Sequence, residues 1–178
     1  AAGLGALGLG GCTTDGMSLA EAQKLYGPVP EEKFPIPAID VTHVDPKYFR
    51  RTVAYNTKEA PGTIIVDPGN YYVYRVEEGG QATRYGANVG RDGFRWSGVH
   101  RISAKKEWPS WTPPSDMLRR RPDLPRHMAG GIENPLGARA MYLGSTLYRI
   151  HGSNEPETIG QAVSSGCFCM TNEDVKDL

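Results

Sequence analysis

The sequence has no excess of charge of either sign. Its 20 lysine and arginine residues are balanced by 20 aspartate and glutamate residues, which gives a formal net charge of zero at pH 7. Nucleic-acid-binding domains are usually basic, so the composition gives no electrostatic support for a nucleic-acid partner. A long apolar run is also missing, because the small apolar stretch over residues 1–12 is too short and glycine-rich to span a bilayer.

Cysteine is scarce, with three residues, Cys12, Cys167 and Cys169, in the whole chain. The C-x-C pair and His151 could be considered as metal ligands. Three such ligands lack the paired spacing that is typical of zinc sites, so no metal is expected. In an oxidising compartment the two neighbouring thiols could form a strained disulfide, whereas Cys169 as a small buried hydrophobe is the simpler interpretation.

Glycine and proline, by contrast, are abundant, with 22 and 14 residues. This composition favours a loop-rich, mainly β protein, and the length suits one or at most two domains. Residues 62–76 place two β-branched and aromatic runs around Asp67-Pro68-Gly69-Asn70, which predicts a hairpin. A third strand is predicted after Glu78-Gly79-Gly80. Three strands joined by short turns predict an antiparallel sheet that forms a sandwich or a small barrel.

The N-terminal part is predicted to lie outside the domain core. Residues 1–12 are typical of the end of a secretory signal, and the sequence 9–12 resembles a bacterial lipobox in which Cys12 would carry a lipid anchor. A plain signal peptide or a disordered tail are the alternatives. Residues 13–61 are interpreted as an N-terminal arm or linker, with a short helix over residues 18–26. The two signal interpretations place the protein outside the cytoplasm.

The chemistry is concentrated in residues 151–170. His151 precedes Cys167 by sixteen residues, at the end of a predicted strand covering residues 138–150. An imidazole within hydrogen-bond reach of a thiol can take its proton and return it to a leaving amine. Gly166 allows close approach of a carbonyl substrate, and the N–H groups of Gly166 and Cys167 could hold an oxyanion. This pattern predicts acyl transfer through a thioester.

The sequence HGSN followed by SSGCFCM resembles the signature of L,D-transpeptidases of the YkuD family. Residues 102–105, 107–114 and 134–139 are similar to the Gram-negative form, and the resemblance covers residues 62–178. It implies a β-sandwich with a flap loop and short helices, and a further C-terminal strand beyond Leu178. It also implies Cys167 as the nucleophile, His151 as the base, Gly152 as the residue that orients the imidazole, and no metal or organic cofactor.

The resemblance also implies the partners. Donor and acceptor stem peptides of peptidoglycan, envelope or outer-membrane proteins as acceptors, carbapenem inhibitors and a periplasmic location all follow from it. Substrate contacts are expected from five residues: Asn154, Ser164, Ser165, Trp108 and Trp111. The two tryptophans lie in a segment of little periodicity, residues 98–137, that corresponds to the flap. As structural anchors they would have no contact with substrate. The basic run at residues 118–121 could bind carboxylates of the substrate, or it could be a solvated loop.

Two positions depart from the family motif: Ser165, where the family often carries histidine and also shows serine, and Cys169. Cys169 stands where the family carries arginine, and a thiol cannot replace a charged group with five donors. Two alternatives to the transpeptidase remain, and the second of them follows from Cys169. In the first, water accepts the acyl group and the protein is an L,D-carboxypeptidase. In the second, it is a non-catalytic peptidoglycan-binding protein.

Overall fold

The computed structural model describes residues 17–91 and 96–178. The predicted signal or lipobox segment, including Cys12, lies outside the described residues. Within the described ranges, no helix is long and apolar enough to cross a membrane. The regular structure there is mainly strand with a few short helices, which confirms the predicted fold class.

The first sheet contains the predicted hairpin and third strand. Strands β2 (Ile64–Asp67), β3 (Tyr72–Val76) and β4 (Gln81–Gly86) are antiparallel neighbours. The carboxylate of Asp67 closes the first turn by accepting the backbone N–H of Asn70 at 3.1 Å. Gly79 and Gly80, both at φ 71°, form the second turn, where the left-handed conformation favours glycine. Strand β1 (Arg51–Ala54) completes the sheet by pairing with β4, so the predicted arm supplies an edge strand.

The second sheet has the strand order β10-β8-β7-β6. It consists of β6 (Ile102–Glu107), β7 (Arg139–Leu143), β8 (Arg149–His151) and β10 (Phe168–Cys169). Residues 138–150 are predicted as one strand, but in the structure they form an antiparallel hairpin of β7 and β8. Gly144, at φ 57°, lies in the turn that reverses the chain between them. Strand β6 lies inside the segment that was predicted to lack periodicity. As an edge strand with almost every residue exposed, it has no buried face to produce an alternating pattern.

The two sheets pack face to face around one core, and the described strands do not close into a barrel. This core joins Val73 and Tyr85 of the first sheet to Met141, Ile150 and Phe168 of the second. Burial of each such side chain contributes about 1.5–3 kcal/mol. The predicted sandwich is therefore the arrangement found. Short strands β5 (Val89–Gly90) and β9 (Ala162–Ser164) form a separate parallel pair that leads into the loop before Cys167.

The described residues also form three short α-helices: α1 (Leu19–Leu25), α2 (Ser115–Arg120) and α3 (Asn172–Asp177). Helix α1 begins at the predicted capping box of Ser18 and Glu21. The chain after α1 is fastened to the second sheet by Glu32, whose carboxylate contacts Arg139 and Lys176, each at 2.8 Å. These ion pairs lower the pKa of Glu32 to about 2. The N-terminal arm therefore packs on the domain as an ordered part of it.

Candidate active site

The candidate site is built by two neighbouring strands of the second sheet. Strand β8 carries His151 at its end and pairs in parallel with β10, with Ile150 opposite Phe168 and His151 opposite Cys169. Both strands are held at the core by Ile150 and Phe168, which are 2% and 6% exposed. A side chain on a packed strand is fixed more tightly than one on a loop, so the imidazole has a rigid support.

The imidazole of His151 is oriented by the backbone of Gly152. The distance from Nδ1 to the Gly152 carbonyl oxygen is 2.6 Å. A carbonyl oxygen can only accept a hydrogen bond, so Nδ1 carries the proton and Nε2 is the acceptor in the neutral ring. Gly152 packs so closely on the Asn172 side chain and on Ala138 that a Cβ at this position would collide with them. The catalytic role of Gly152 as the residue that orients the imidazole stays a prediction.

Burial keeps the imidazole neutral. His151 is 5% exposed, and desolvation lowers its pKa to about 4. The hydrogen bond to Gly152 opposes this shift, while the positive charge of Arg149 adds to it. At neutral pH the ring is therefore an unprotonated base with a free electron pair on Nε2.

The thiol that lies against Nε2 belongs to Cys169. Its Sγ atom is 3.4 Å from Nε2, and the residue is buried. Burial raises the pKa of Cys169 well above its ordinary value, so this contact joins a neutral thiol to a neutral ring. The described residues include no hydrogen bond between His151 and Cys167. Both cysteines are free thiols rather than a disulfide.

Cys167 is half-buried and lies beside Arg149 instead. Burial raises the pKa of this thiol, whereas hydrogen bonding from the main chain and side chain of Arg149, together with its charge, acts in the opposite direction. Arg149 lies two residues before His151, outside the HGSN and SSGCFCM motifs. The only sequence signal for it was a basic residue on a strand directly next to the predicted base.

The loop before Cys167 is held by Ser164 and Trp96. The Ser164 hydroxyl donates to the Cys167 carbonyl at 2.6 Å and accepts the Gly166 N–H at 3.2 Å. The indole N–H of Trp96 donates to the Gly166 carbonyl at 2.8 Å. Gly166 has φ 108°, a conformation that favours glycine. Ser164 and Trp96 therefore fix the loop from both sides, and sequence reasoning did not find Trp96.

This arrangement separates the two predicted oxyanion donors. The N–H of Gly166 is already used by Ser164. In a planar trans peptide the carbonyl and the following N–H point in opposite directions, so the N–H of Cys167 points away from the Trp96 indole. The N–H of Cys167 is therefore better placed than that of Gly166 to bind an oxyanion. The oxyanion-binding role of both groups stays a prediction.

The remaining predicted substrate contacts occupy different surroundings. Trp108 is buried, donates its indole N–H to Glu32 at 2.9 Å and packs edge-on against Phe34, so it lies beneath the N-terminal arm. Trp111 is half-buried, and its backbone pairs with Met128. Asn154 is exposed and donates to the Glu133 carbonyl at 3.4 Å, and Ser165 is half-buried. Their contacts with substrate stay predictions.

A metal-binding arrangement was the least favoured interpretation of the C-x-C pair with His151. Across residues 17–91 and 96–178, no group of three or more histidine, cysteine, aspartate or glutamate side chains is placed to hold a metal ion. The contacts in this region are those of a thiol and imidazole centre. Fold and site together define a mainly β domain with two cysteines and one histidine at the edge of the second sheet.

Comparison with known proteins supports this class. The L,D-transpeptidase catalytic domain model of the YkuD family matches residues 61–178. A Fuscovulum blasticum protein named as an L,D-transpeptidase is 42% identical over 81 residues, covering 46% of this chain and 42% of that protein. The Escherichia coli K12 protein named probable L,D-transpeptidase ErfK/SrfK is 40% identical over 84 residues, covering 45% and 27% respectively. The chain thus spans less than half the length of these relatives.

A solved structure agrees in fold. It is a Brucella melitensis protein named as a probable carnitine operon oxidoreductase, with a TM-score of 0.55 and 44% identity over 78% of this chain and 90% of that one. The name is that of the Brucella protein, and the likeness supports the fold. From the family match, this chain belongs to the L,D-transpeptidase catalytic domain family, which confirms the resemblance seen in its motifs.

Proposed function

We propose that this chain is the catalytic domain of a peptidoglycan L,D-transpeptidase that works through a thioester on Cys167. The family match over residues 61–178, which includes His151 and Cys167, carries this proposal. The orientation of His151 supports it, because the hydrogen bond from Nδ1 to Gly152 makes Nε2 the accepting nitrogen of the ring. The part-exposed Cys167 follows a glycine turn, where a substrate carbonyl can approach.

In the proposed first step, the sulfur of Cys167 attacks the carbonyl of the third residue of a tetrapeptide stem while Nε2 of His151 takes the thiol proton. The N–H of Cys167 stabilises the oxyanion. The carbon–nitrogen bond to the terminal D-alanine then breaks, and the imidazolium returns the proton to the leaving amine. Because burial lowers the pKa of His151 to about 4, this imidazolium is a strong acid toward the amine.

In the second step, an amine of another stem peptide attacks the thioester, and His151 takes the proton of the amine. The carbon–sulfur bond then breaks and the imidazolium returns this proton to the sulfur, which leaves a 3–3 cross-link and the free thiol of Cys167. A lysine of an envelope protein would react in the same way, and a carbapenem would acylate Cys167 without a rapid second step. This chemistry belongs in the periplasm, with Cys12 as a candidate lipid anchor.

The contact between Cys169 and His151 places a condition on this mechanism. Nε2 accepts from the Cys169 thiol in the resting structure, so it must change its partner to the Cys167 thiol before attack. The same contact favours the second candidate function, a non-catalytic peptidoglycan-binding domain in which the base stays occupied. The carboxypeptidase alternative requires water instead of an amine as the acceptor, and depends on how the groove excludes water.

A muropeptide assay tests these functions. Reduced protein is incubated with a disaccharide-tetrapeptide, and both the products and the intact protein are analysed by mass spectrometry. Cys167→Ala serves as the nucleophile control, and Cys169→Ala as the matched loss of the neighbouring thiol. Cross-linked dimers that lack one D-alanine, absent with Cys167→Ala, are expected. Shortened monomers alone would favour the carboxypeptidase, and unchanged peptide and protein would favour the binding domain.

A further inference from the structure

We propose that Arg149 is a further catalytic residue, whose guanidinium stabilises the thiolate form of Cys167. This inference rests on the proposed function only in taking Cys167 as the reactive thiol. Arg149 is the first residue of β8, and the next residue, Ile150, lies opposite Phe168 of β10. The parallel pairing therefore places Arg149 at the level of Cys167, one residue before β10 begins.

The guanidinium is held in place by neutral groups. Its Nη1 donates to the Leu147 carbonyl at 3.2 Å, and its central carbon lies 5.0 Å from the centre of the Tyr142 ring. Stacking of a guanidinium on an aromatic face is favourable and leaves its charge uncompensated. These contacts fix the head of Arg149 without giving it a counter-ion.

The lack of a counter-ion separates Arg149 from three other half-buried arginines of the domain. Arg50, Arg75 and Arg139 each contact at least one carboxylate within 4 Å: Arg50 that of Asp177, Arg75 that of Glu77 and Arg139 that of Glu32. Arg149 has no such ion pair with any residue in the described part of the chain, and its buried Nε has no hydrogen-bond partner. Arg84 also stacks on a tyrosine ring and has an unpartnered Nε, but it lies on β4 of the first sheet, whereas Arg149 lies beside Cys167. A partly buried cation without an anion loses part of its hydration uncompensated, and a thiolate at Cys167 would supply the missing negative charge.

The contacts of Cys167 agree with this assignment. Arg149 acts on the thiol through its charge and through main-chain and side-chain hydrogen bonding, and all three favour the thiolate. Among the described residues, the other titratable group that interacts with Cys167 is Cys169. This thiol is neutral at neutral pH, because burial raises its pKa well above the ordinary value. The stretch 164–170 itself contains no charged residue. Arg149 is thus the cation available to the sulfur.

The same charge acts on the proposed base. Arg149 lowers the pKa of His151 while it favours ionisation of Cys167. The positive charge of Arg149 acts against protonation of His151 and in favour of ionisation of Cys167. Its effect on Cys167 is the larger of the two, because Arg149 also forms hydrogen bonds with this thiol. An imidazolium formed during attack is made more acidic, which promotes proton transfer to the leaving amine. One guanidinium would assist both halves of the acylation step.

The test is the pH dependence of alkylation by iodoacetamide, followed at Cys167 by peptide mass mapping so that the other cysteines do not contribute. Arg149→Gln removes the charge, Arg149→Lys keeps it, and Arg101→Gln removes an exposed charge as the matched control. We expect Arg149→Gln to raise the midpoint by about one pH unit and to slow alkylation at pH 7 about tenfold. Arg149→Lys should recover most of the rate, and Arg101→Gln should match the parent protein.

An unchanged midpoint in a folded Arg149→Gln protein would overturn the proposal. If that variant fails to fold, Arg149→Met decides the matter, since it removes the charge and keeps an unbranched apolar stem against Tyr142. The same rise of the Cys167 midpoint is expected, and an unchanged midpoint contradicts the proposal. Because no peptidoglycan is used, a negative result here leaves the transpeptidase proposal standing. Conversely, a shifted midpoint in a protein that forms no cross-links would sustain the role of Arg149 and reject the proposed reaction.

Discussion

Cys169 and His151 face each other across two parallel strands, with Sγ and Nε2 3.4 Å apart. The family motif carries arginine at position 169, so here a neutral thiol stands where that charge would be. The contact satisfies the accepting nitrogen of a buried imidazole, which would otherwise lose a hydrogen bond on burial. It also occupies the atom that the proposed mechanism needs as a base.

The first prediction concerns this competition. Cys169→Ala removes the thiol from Nε2, so we expect Cys167 to become acylated several-fold faster by a carbapenem or a tetrapeptide donor. Loss of a buried sulfur should reduce the free energy of unfolding by about 1 kcal/mol. Intact-protein mass spectrometry measures the acylation rate, and chemical denaturation measures the stability. If Cys169→Ala abolishes acylation while Cys167→Ala retains it, Cys169 is the nucleophile and the assignment to Cys167 is wrong.

The second prediction concerns the support of the loop by Trp96. Its ring stacks on Tyr148 with centroids 4.4 Å apart and also contacts Phe168. Trp96→Phe keeps an aromatic ring but removes the N–H that donates to the Gly166 carbonyl. We expect a loss of about 0.5–1.5 kcal/mol in stability and a larger proportional loss in the acylation rate, because the direction of the Cys167 N–H is no longer fixed.

Tyr72→Phe is the matched control for Trp96→Phe, since it also removes one donor to a backbone carbonyl from a half-buried aromatic side chain, in the first sheet away from this loop. Acylation rates and unfolding curves are measured for both variants. The loss in acylation rate is converted to a free energy of activation and compared with the loss in the free energy of unfolding. If the first does not exceed the second, Trp96 acts in packing alone and has no positioning role.

The sequence was most informative where local rules decide the structure. The turn at Asp67 and Asn70 and the capping box at Ser18 follow from local chemistry, and the structure has both. Strand β6 was missed because an exposed edge strand has no apolar alternation. The contact of His151 with Cys169 could not be read from spacing, because it depends on the parallel register of β8 and β10. Arg149 and Trp96 were missed for the same reason, since tertiary pairing alone brings them to the loop.

The third prediction concerns the glycine that orients the base. Gly152→Ala would place a Cβ against the Asn172 side chain and the backbone of Gly137 and Ala138. Overpacking of this kind costs about 1–3 kcal/mol, which corresponds to a fall in Tm of several degrees for a domain of this size. Gly131→Ala is the control, because its Cβ would meet nothing within 4 Å. Thermal unfolding of both variants checks this, and equal Tm values would contradict the close packing at Gly152.

The last prediction concerns a buried carboxyl group on α3. Glu173 is 6% exposed, neither carboxyl oxygen has a hydrogen-bond partner among the described residues, and burial raises its pKa to about 7. The folded protein therefore holds this proton more tightly than the unfolded chain, whose glutamate has the ordinary pKa of about 4.3. The stabilising effect of that proton is complete below the unfolded pKa and is lost as the pH rises through 7.

Glu173→Gln imitates the protonated group at every pH. We expect little difference from the parent protein at pH 4 and a gain of about 2–3 kcal/mol in the free energy of unfolding at pH 8. Denaturant unfolding at the two pH values measures this difference, with the exposed Glu157→Gln as the control for loss of one negative charge. A gain that is the same at both pH values would mean that this carboxyl group has the same pKa in the folded and the unfolded protein. That result would require a cation or donor near its carboxylate.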